Sequence, residues 1–255
     1  MGLLAELIDL VLPSSCICCQ RSGPLWCAAC RPASVPELAA TATGPAVCAA
    51  GEYDAELRSA LIAYKERGHR ALAEPLSAYL SDAVDVLSRQ AGTAATGRPR
   101  PVLVPVPSRR SAARQRGGDH VLRLARLVAR QSQLPLCSTL SVSSGVADSA
   151  GLSTAARAAN LAHRMRAARP PGRGPLDAVI VDDIVTTGTT LAEAERALTE
   201  AGWRVLGAAV VGATRRRYPA AAAGASGASD GARKQSAAAG TNACNWADPH
   251  EWASV

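Results

Sequence analysis

The stretch VIVDDIVTTGTTLAEAERAL, residues 179–198, decides the fold. Apolar residues run into two adjacent carboxylates, Asp182 and Asp183. A turn of hydroxyls around one glycine follows, made of Thr186, Thr187, Gly188, Thr189 and Thr190. From Leu191 the apolar residues recur at helical spacing. An apolar run, a small-residue turn and a helical period, in that order, predict a buried strand, a tight loop and a helix N-terminus.

The turn has the chemistry of an anion cradle. Free N–H groups at a helix N-terminus, the helix dipole and neighbouring hydroxyls together attract an anion. Gly188 permits a backbone conformation and a close approach that a side chain would block. Thr190 and Glu193 fit a capping box, which accounts for one hydroxyl but not for four around a glycine. On a strand, Asp182 and Asp183 point to opposite faces, so at least one meets the crevice beyond the strand end. A carboxylate only accepts hydrogen bonds, which suits it to sugar hydroxyls beside a bound phosphate. The combination reads as a sugar-phosphate site. It is neither the G-x-x-x-x-G-K-[ST] phosphate loop nor the G-x-G-x-x-G dinucleotide loop.

Working outward, LDAVIVDD (176–183), VLVPV (102–106) and RVLGAAVVGAT (204–214) read as short apolar strands, and LCSTLSV (136–142) as a further one. Helical patterns cover 53–89 with a break near Gly68, then 120–131 with Val121, Leu124, Ala125 and Val128 on one face, and 152–168. Gly202 ends the helix after the Thr/Gly turn. Residues 31–47 read as a connector, 91–101 and 143–151 as loops, and everything from 216 to 255 as a disordered tail. Strand–helix alternation with wholly apolar strands predicts an α/β domain whose parallel sheet is covered on both faces. Ligands of such sheets bind beyond the carboxyl ends of the strands. Asp182-Asp183, the Thr/Gly turn and residues 107–110 all fall there.

Composition narrows the class. With 255 residues and 48% hydrophobic content the chain can bury a core, although Phe is absent. The net charge of +7 suits partners that carry phosphate. No run of about 18 apolar residues occurs, so no membrane insertion is expected. The start, MGLLAELIDLVLPSSC, lacks a basic n-region, and its Leu3, Leu4, Leu7, Ile8 and Val11 fit one face of an amphipathic helix. A cytoplasmic location follows from that reading.

Five of the eight cysteines fall in CICCQRSGPLWCAAC (16–30). Cys16 and Cys19 form one C-x-x-C pair, Cys27 and Cys30 another, and Gly23-Pro24 between them can turn the chain back. Each pair supplies two corners of a zinc tetrahedron. Disulfides are the competing reading, and a reducing cytoplasm disfavours them. Cys18 is the spare and could replace Cys19; Cys48, Cys137 and Cys244 read as ordinary thiols. Four protein ligands close such a site, which makes the zinc structural.

VIVDDIVTTGTT resembles the phosphoribosyl-pyrophosphate (PRPP) signature of type I phosphoribosyltransferases. Together with DLVLPSSC, LIAYKERG, VPVPSRRSAARQRGG and GLSTAARAANL, the chain is similar to the ComF/GntX-like family over roughly residues 1–215. The resemblance implies a type I phosphoribosyltransferase-like parallel sheet flanked by helices behind a small zinc finger. It divides the chain into a finger at 1–50, a transferase-like domain at 51–215 and the tail. PRPP would come with magnesium. Asp182 and Asp183 would orient the ribose as the catalytic pair, and Thr186–Thr190 would hold the 5′-phosphate. Ser108, Arg109 and Arg110 would face the pyrophosphate, with Arg114 and Arg116 on the rim and Lys65 a further charged contact.

Two departures stand out against that family. Where relatives read R-G-[FY]-N-Q, this chain has RGGDH (116–120). The mobile loop before Arg157 and Asn160 lacks an Arg and a Gln. The resemblance implies a transferase that displaces pyrophosphate from PRPP with a nitrogen nucleophile, linked to DNA uptake in natural transformation. It also admits a competence accessory protein that binds single-stranded DNA, or a regulator that senses PRPP. Aromatic stacking platforms for single strands are scarce; Trp26 is the one candidate, with core packing as its competing role.

Overall fold

A computed structural model of the chain describes residues 15–39, 41, 44–92, 99–108, 118–142, 164–172, 174–214 and 244–245. The helices are α1 (Ala55–Glu66), α2 (Ala73–Gln90), α3 (His120–Ser132) and α4 (Thr189–Glu200). The strands are β1 (Glu37–Ala39), β2 (Val47–Glu52), β3 (Val102–Pro105), β4 (Leu136–Cys137), β5 (Leu140–Val142), β6 (Met165–Ala167), β7 (Asp177–Val185), β8 (Arg204–Ala213) and β9 (Cys244–Asn245).

Seven strands form one sheet in the order β1-β2-β8-β7-β3-β4-β9. The inner five run parallel, and the edge strands β1 and β9 pair antiparallel to β2 and β4. The expected α/β class holds, with a sheet that is mostly rather than wholly parallel. β5 and β6 form a separate antiparallel pair.

Side-chain alternation along β7 explains the layers. Val179 and Val181 enter a core with Leu61, Leu76, Leu80, Leu124 and Val128 of α1, α2 and α3. Ala178 and Ile180 enter the opposite core, with Leu191, Ala194 and Leu198 of α4 and Leu140 and Met165 of β5 and β6. A strand buried on both faces needs an unbroken apolar run, and residues 178–181 supply it. Each such Val or Ile contributes about 1.5–3 kcal/mol of burial before chain entropy is counted.

Several expectations are corrected. The connector at 31–47 contains β1, and Val47 opens β2, a strand whose small residues Cys48, Ala49 and Ala50 give no sequence signal. Residues 136–142 hold two strands in different sheets, because Thr139 breaks the run and donates to Ala168 O. Met165–Ala167, expected as helix, is a strand that pairs with β5. Cys137, expected as an ordinary thiol, is disulfide-bonded, and the register of β4 with β9 sets position 137 opposite position 244. Two residues of the expected disordered tail therefore form an edge strand. The expected N-terminal amphipathic helix, the mobile loop with Arg157 and Asn160, and the rest of the tail lie outside the described residues.

Candidate functional site

β3 and β7 pair in register from Val102↔Ala178 to Pro105↔Val181, and Val106 N donates to Val181 O. β7 continues four residues past its last β3 partner, still paired to β8 through Ile184↔Gly212 and Val185↔Ala213. Asp182 and Asp183 thus lie beyond the end of β3, on the flank where the chain leaves for Ser108. α3 follows β3 on one face of the sheet, and α4 follows β7 on the other. This is the topological switch point of an open α/β sheet, where ligands bind.

The strand alternation separates the two carboxylates. Asp183 is buried and faces the α1–α3 layer; Asp182 is partly buried on the opposite face. Lys65 Nζ at the end of α1 lies 2.7 Å from Asp183 Oδ2. His120 Nε2 at the start of α3 lies 2.9 Å from the same oxygen. Burial works against the Asp183 charge, but the His120 hydrogen bond and the Lys65 ammonium outweigh it and hold the carboxyl below the usual range. For Asp182, burial and then the neighbouring Asp183 charge push the carboxyl well above that range, although its Oδ1 accepts from Asp183 N at 2.8 Å.

Ser108 connects to the same cluster. Asp119 caps α3, accepting from Val121 N and Leu122 N on Oδ1, and it also takes Ser108 N on Oδ2 at 2.9 Å. Ser108 Oγ donates to Asp119 Oδ1 at 3.0 Å and lies 3.2 Å from His120 Nδ1. Tyr64 packs edge-on to the His120 ring and donates its hydroxyl to His120 O at 2.9 Å. Asp119 and His120 therefore hold this cluster together. Arg109, Arg110, Arg114 and Arg116 lie outside the described residues.

After β7 the turn runs through Thr186 and Thr187 to Gly188, which caps α4 with φ 80° and no side-chain cap. That left-handed conformation favours glycine. Thr187 Oγ1 and Thr189 Oγ1 are 2.9 Å apart, and Thr190 sits in the first helical turn. The expected Thr190–Glu193 capping box does not form. Glu193 is buried and accepts from Met165 N at 2.9 Å, and it pairs with Arg196, which donates to Met165 O. The competing demand is tertiary, since an unpaired N–H of β6 has to be satisfied inside the protein.

The four cysteines converge as their spacing predicts. The sulfurs of Cys16, Cys19, Cys27 and Cys30 all lie within 4.8 Å of one another, and Cys19 and Cys27 are 3.8 Å apart. A zinc tetrahedron with Zn–S near 2.3 Å has edges of about 3.8 Å, so the donor set and its size fit that ion. Burial disfavours the Cys16 thiolate, yet N–H groups of Cys19, Cys27 and Cys18 outweigh it and lower the thiol to about 6. Cys18 stands apart from this set and packs on the core instead. Trp26 is buried, stacks on Tyr79 of α2 with ring centroids 5.7 Å apart, and donates to Cys30 O. Core packing is its role. Among the described residues no helix is long and apolar enough to cross a membrane.

No curated protein matches the chain. Among solved structures it is similar to a chain of a structure of UMP synthase from Leishmania donovani, with 19% identity and a TM-score of 0.26. The similarity covers 50% of this chain, which spans 22% of that one. Lys65, Ser108 and His120 precede residue 122; the carboxylate pair, the turn, α4 and β8 follow it. Over residues 122–227 the chain matches the phosphoribosyl transferase domain.

Proposed function

We propose that the crevice between the carboxyl ends of β3 and β7 binds PRPP, or a related ribose phosphate, as its magnesium complex. The observation that carries this reading is the juxtaposition of Asp182-Asp183 with a glycine-capped helix N-terminus inside a phosphoribosyl transferase domain match. The first N–H groups of α4 and the hydroxyls of Thr186, Thr187, Thr189 and Thr190 would take the 5′-phosphate. Asp182 and Asp183 would accept from the ribose hydroxyls. Ser108, with Arg109 and Arg110 beyond it, would face the pyrophosphate, where guanidinium forks suit phosphate oxygens.

The chemistry such a site supports is displacement of pyrophosphate by a nitrogen nucleophile. Positioning and charge stabilisation do that work, so no nucleophilic side chain is required. A cavity of about 560 Å³ is lined by Val185 at the end of β7 and Thr186 of the turn, and gives an acceptor room beside it. Glu37, Glu52 and Asp54 among its walls favour an acceptor that carries amino groups. We further propose a structural zinc on Cys16, Cys19, Cys27 and Cys30, and a chain organised as finger (1–50), transferase-like domain (51–215) and tail (216–255). The buried stacking of Trp26 removes the one aromatic that favoured single-stranded DNA.

Calorimetry of magnesium–PRPP with the wild type and with Asp182→Ala/Asp183→Ala tests the site. Binding is expected for the first and none for the second. Equal affinity of the two sinks the assignment.

A further inference from the structure

We propose that His120 is a positioning residue: a two-ended hydrogen-bond donor that ties the Asp183 carboxylate to the Ser108 turn, and so fixes the ribose end of the site against the pyrophosphate end. The positioning role rests on the ribose-phosphate reading; the donor assignment does not.

The donor assignment follows from counting protons. Ser108 has a single hydroxyl proton, and it goes to Asp119 Oδ1 at 3.0 Å. The Ser108 oxygen then has only lone pairs to offer His120 Nδ1, 3.2 Å away, so Nδ1 donates. On the other side of the ring, the Asp183 carboxylate only accepts, so Nε2 donates to Oδ2 at 2.9 Å. An imidazole that donates from both nitrogens carries a positive charge.

The surroundings balance that charge. Lys65 of α1 shares Asp183 Oδ2 with the ring, Asp183 faces the ring from β7 while Asp182 lies behind it on the opposite face of the strand, and Asp119 precedes it on the chain. Tyr64 lies edge-on to the ring, and Arg123 of α3 reaches the Tyr64 hydroxyl. Lys65 and the ring stand against the carboxylates of Asp119 and Asp183, each held by hydrogen bonds. A buried charge network is tolerated when every member is paired in this way.

Glutamine at this position cannot reproduce the arrangement. Its amide nitrogen can donate to Asp183, but its oxygen can only accept, so the Ser108 hydroxyl would have to turn away from Asp119. His120→Gln is therefore a substitution that keeps one end of the tie and loses the other.

Two measurements decide the matter. The first is the ¹⁵N–¹H spectrum of the histidine rings in the free protein, read at neutral pH. The His120 signals, assigned by their loss in His120→Gln, are expected to show protons on both nitrogens. A single neutral tautomer overturns the donor assignment. The second is magnesium–PRPP affinity of wild type, His120→Gln and His120→Ala, with thermal melts alongside. His120→Ala is expected to bind about ten- to a hundredfold more weakly, and His120→Gln to fall between at a nearly unchanged melting temperature. Equal affinity of all three overturns the positioning role. A wild type that binds no PRPP overturns the ligand reading and the positioning role with it, while the ring spectra still decide the donors.

Discussion

Lys65 Nζ lies 2.7 Å from Asp183 Oδ2, so the end of α1 neutralises a carboxylate buried at the carboxyl end of the central strand. Removing one partner of a buried pair leaves the other charge poorly compensated. Lys65→Met is expected to cost about 1–3 kcal/mol, below the full buried-pair figure because Lys65 keeps 28% exposure and His120 still serves Asp183. Urea unfolding at neutral pH checks this, and an unchanged midpoint would show that the pair adds nothing.

The two aspartates respond to pH in opposite senses. Burial and the Asp183 charge raise the Asp182 carboxyl in the folded state. Its contribution is complete below the unfolded value of about 3.9 and is lost as pH rises through the raised folded value. Asp183 is held low by His120 and Lys65 against its burial, so its contribution is present above about pH 4 and lost as pH falls further. Asp182→Asn keeps the acceptor for Asp183 N and removes the charge. It is expected to stabilise the protein at pH 7 and to change little at pH 3. Thermal melts across that range give the comparison.

Zinc is expected to copurify with the chain and to disappear in Cys27→Ser, as read by elemental analysis. Its removal by a chelator should lower the melting temperature, because Trp26 and Cys30 join the finger to Tyr79 of α2. A metal-free protein with an unaltered melt would rule out a structural ion.

Glu193→Ala should cost about 1–3 kcal/mol, since it orphans the buried Met165 N and leaves Arg196 with only Glu200 and Met165 O. Thr190→Ala should cost well under 1 kcal/mol, because no cap is made there. Similar costs for the two in chemical denaturation would restore the capping-box reading.

Much of this molecule is local and therefore readable along the chain. The apolar run 178–181 had to be a strand buried on both faces, Gly188 had to sit at a turn, and two C-x-x-C pairs had to converge. Where side chains were small or contacts distant, the chain gave no warning. β2 carries no β-branched run beyond Val47, and β6 is a strand only because β5 and Glu193 satisfy its backbone.

The carboxylate pair shows the same division. Adjacency on a strand determined that Asp182 and Asp183 face opposite layers, because side chains alternate with period two. Only the tertiary structure decided which one is ion-paired. Lys65, Ser108, Asp119 and His120 come from three separate segments, and Lys65 and His120 meet at Asp183, with Ser108 and Asp119 joined through the ring, because β3 and β7 are neighbours whose helices leave to opposite faces. Sequence spacing has no term for that contact; strand order does.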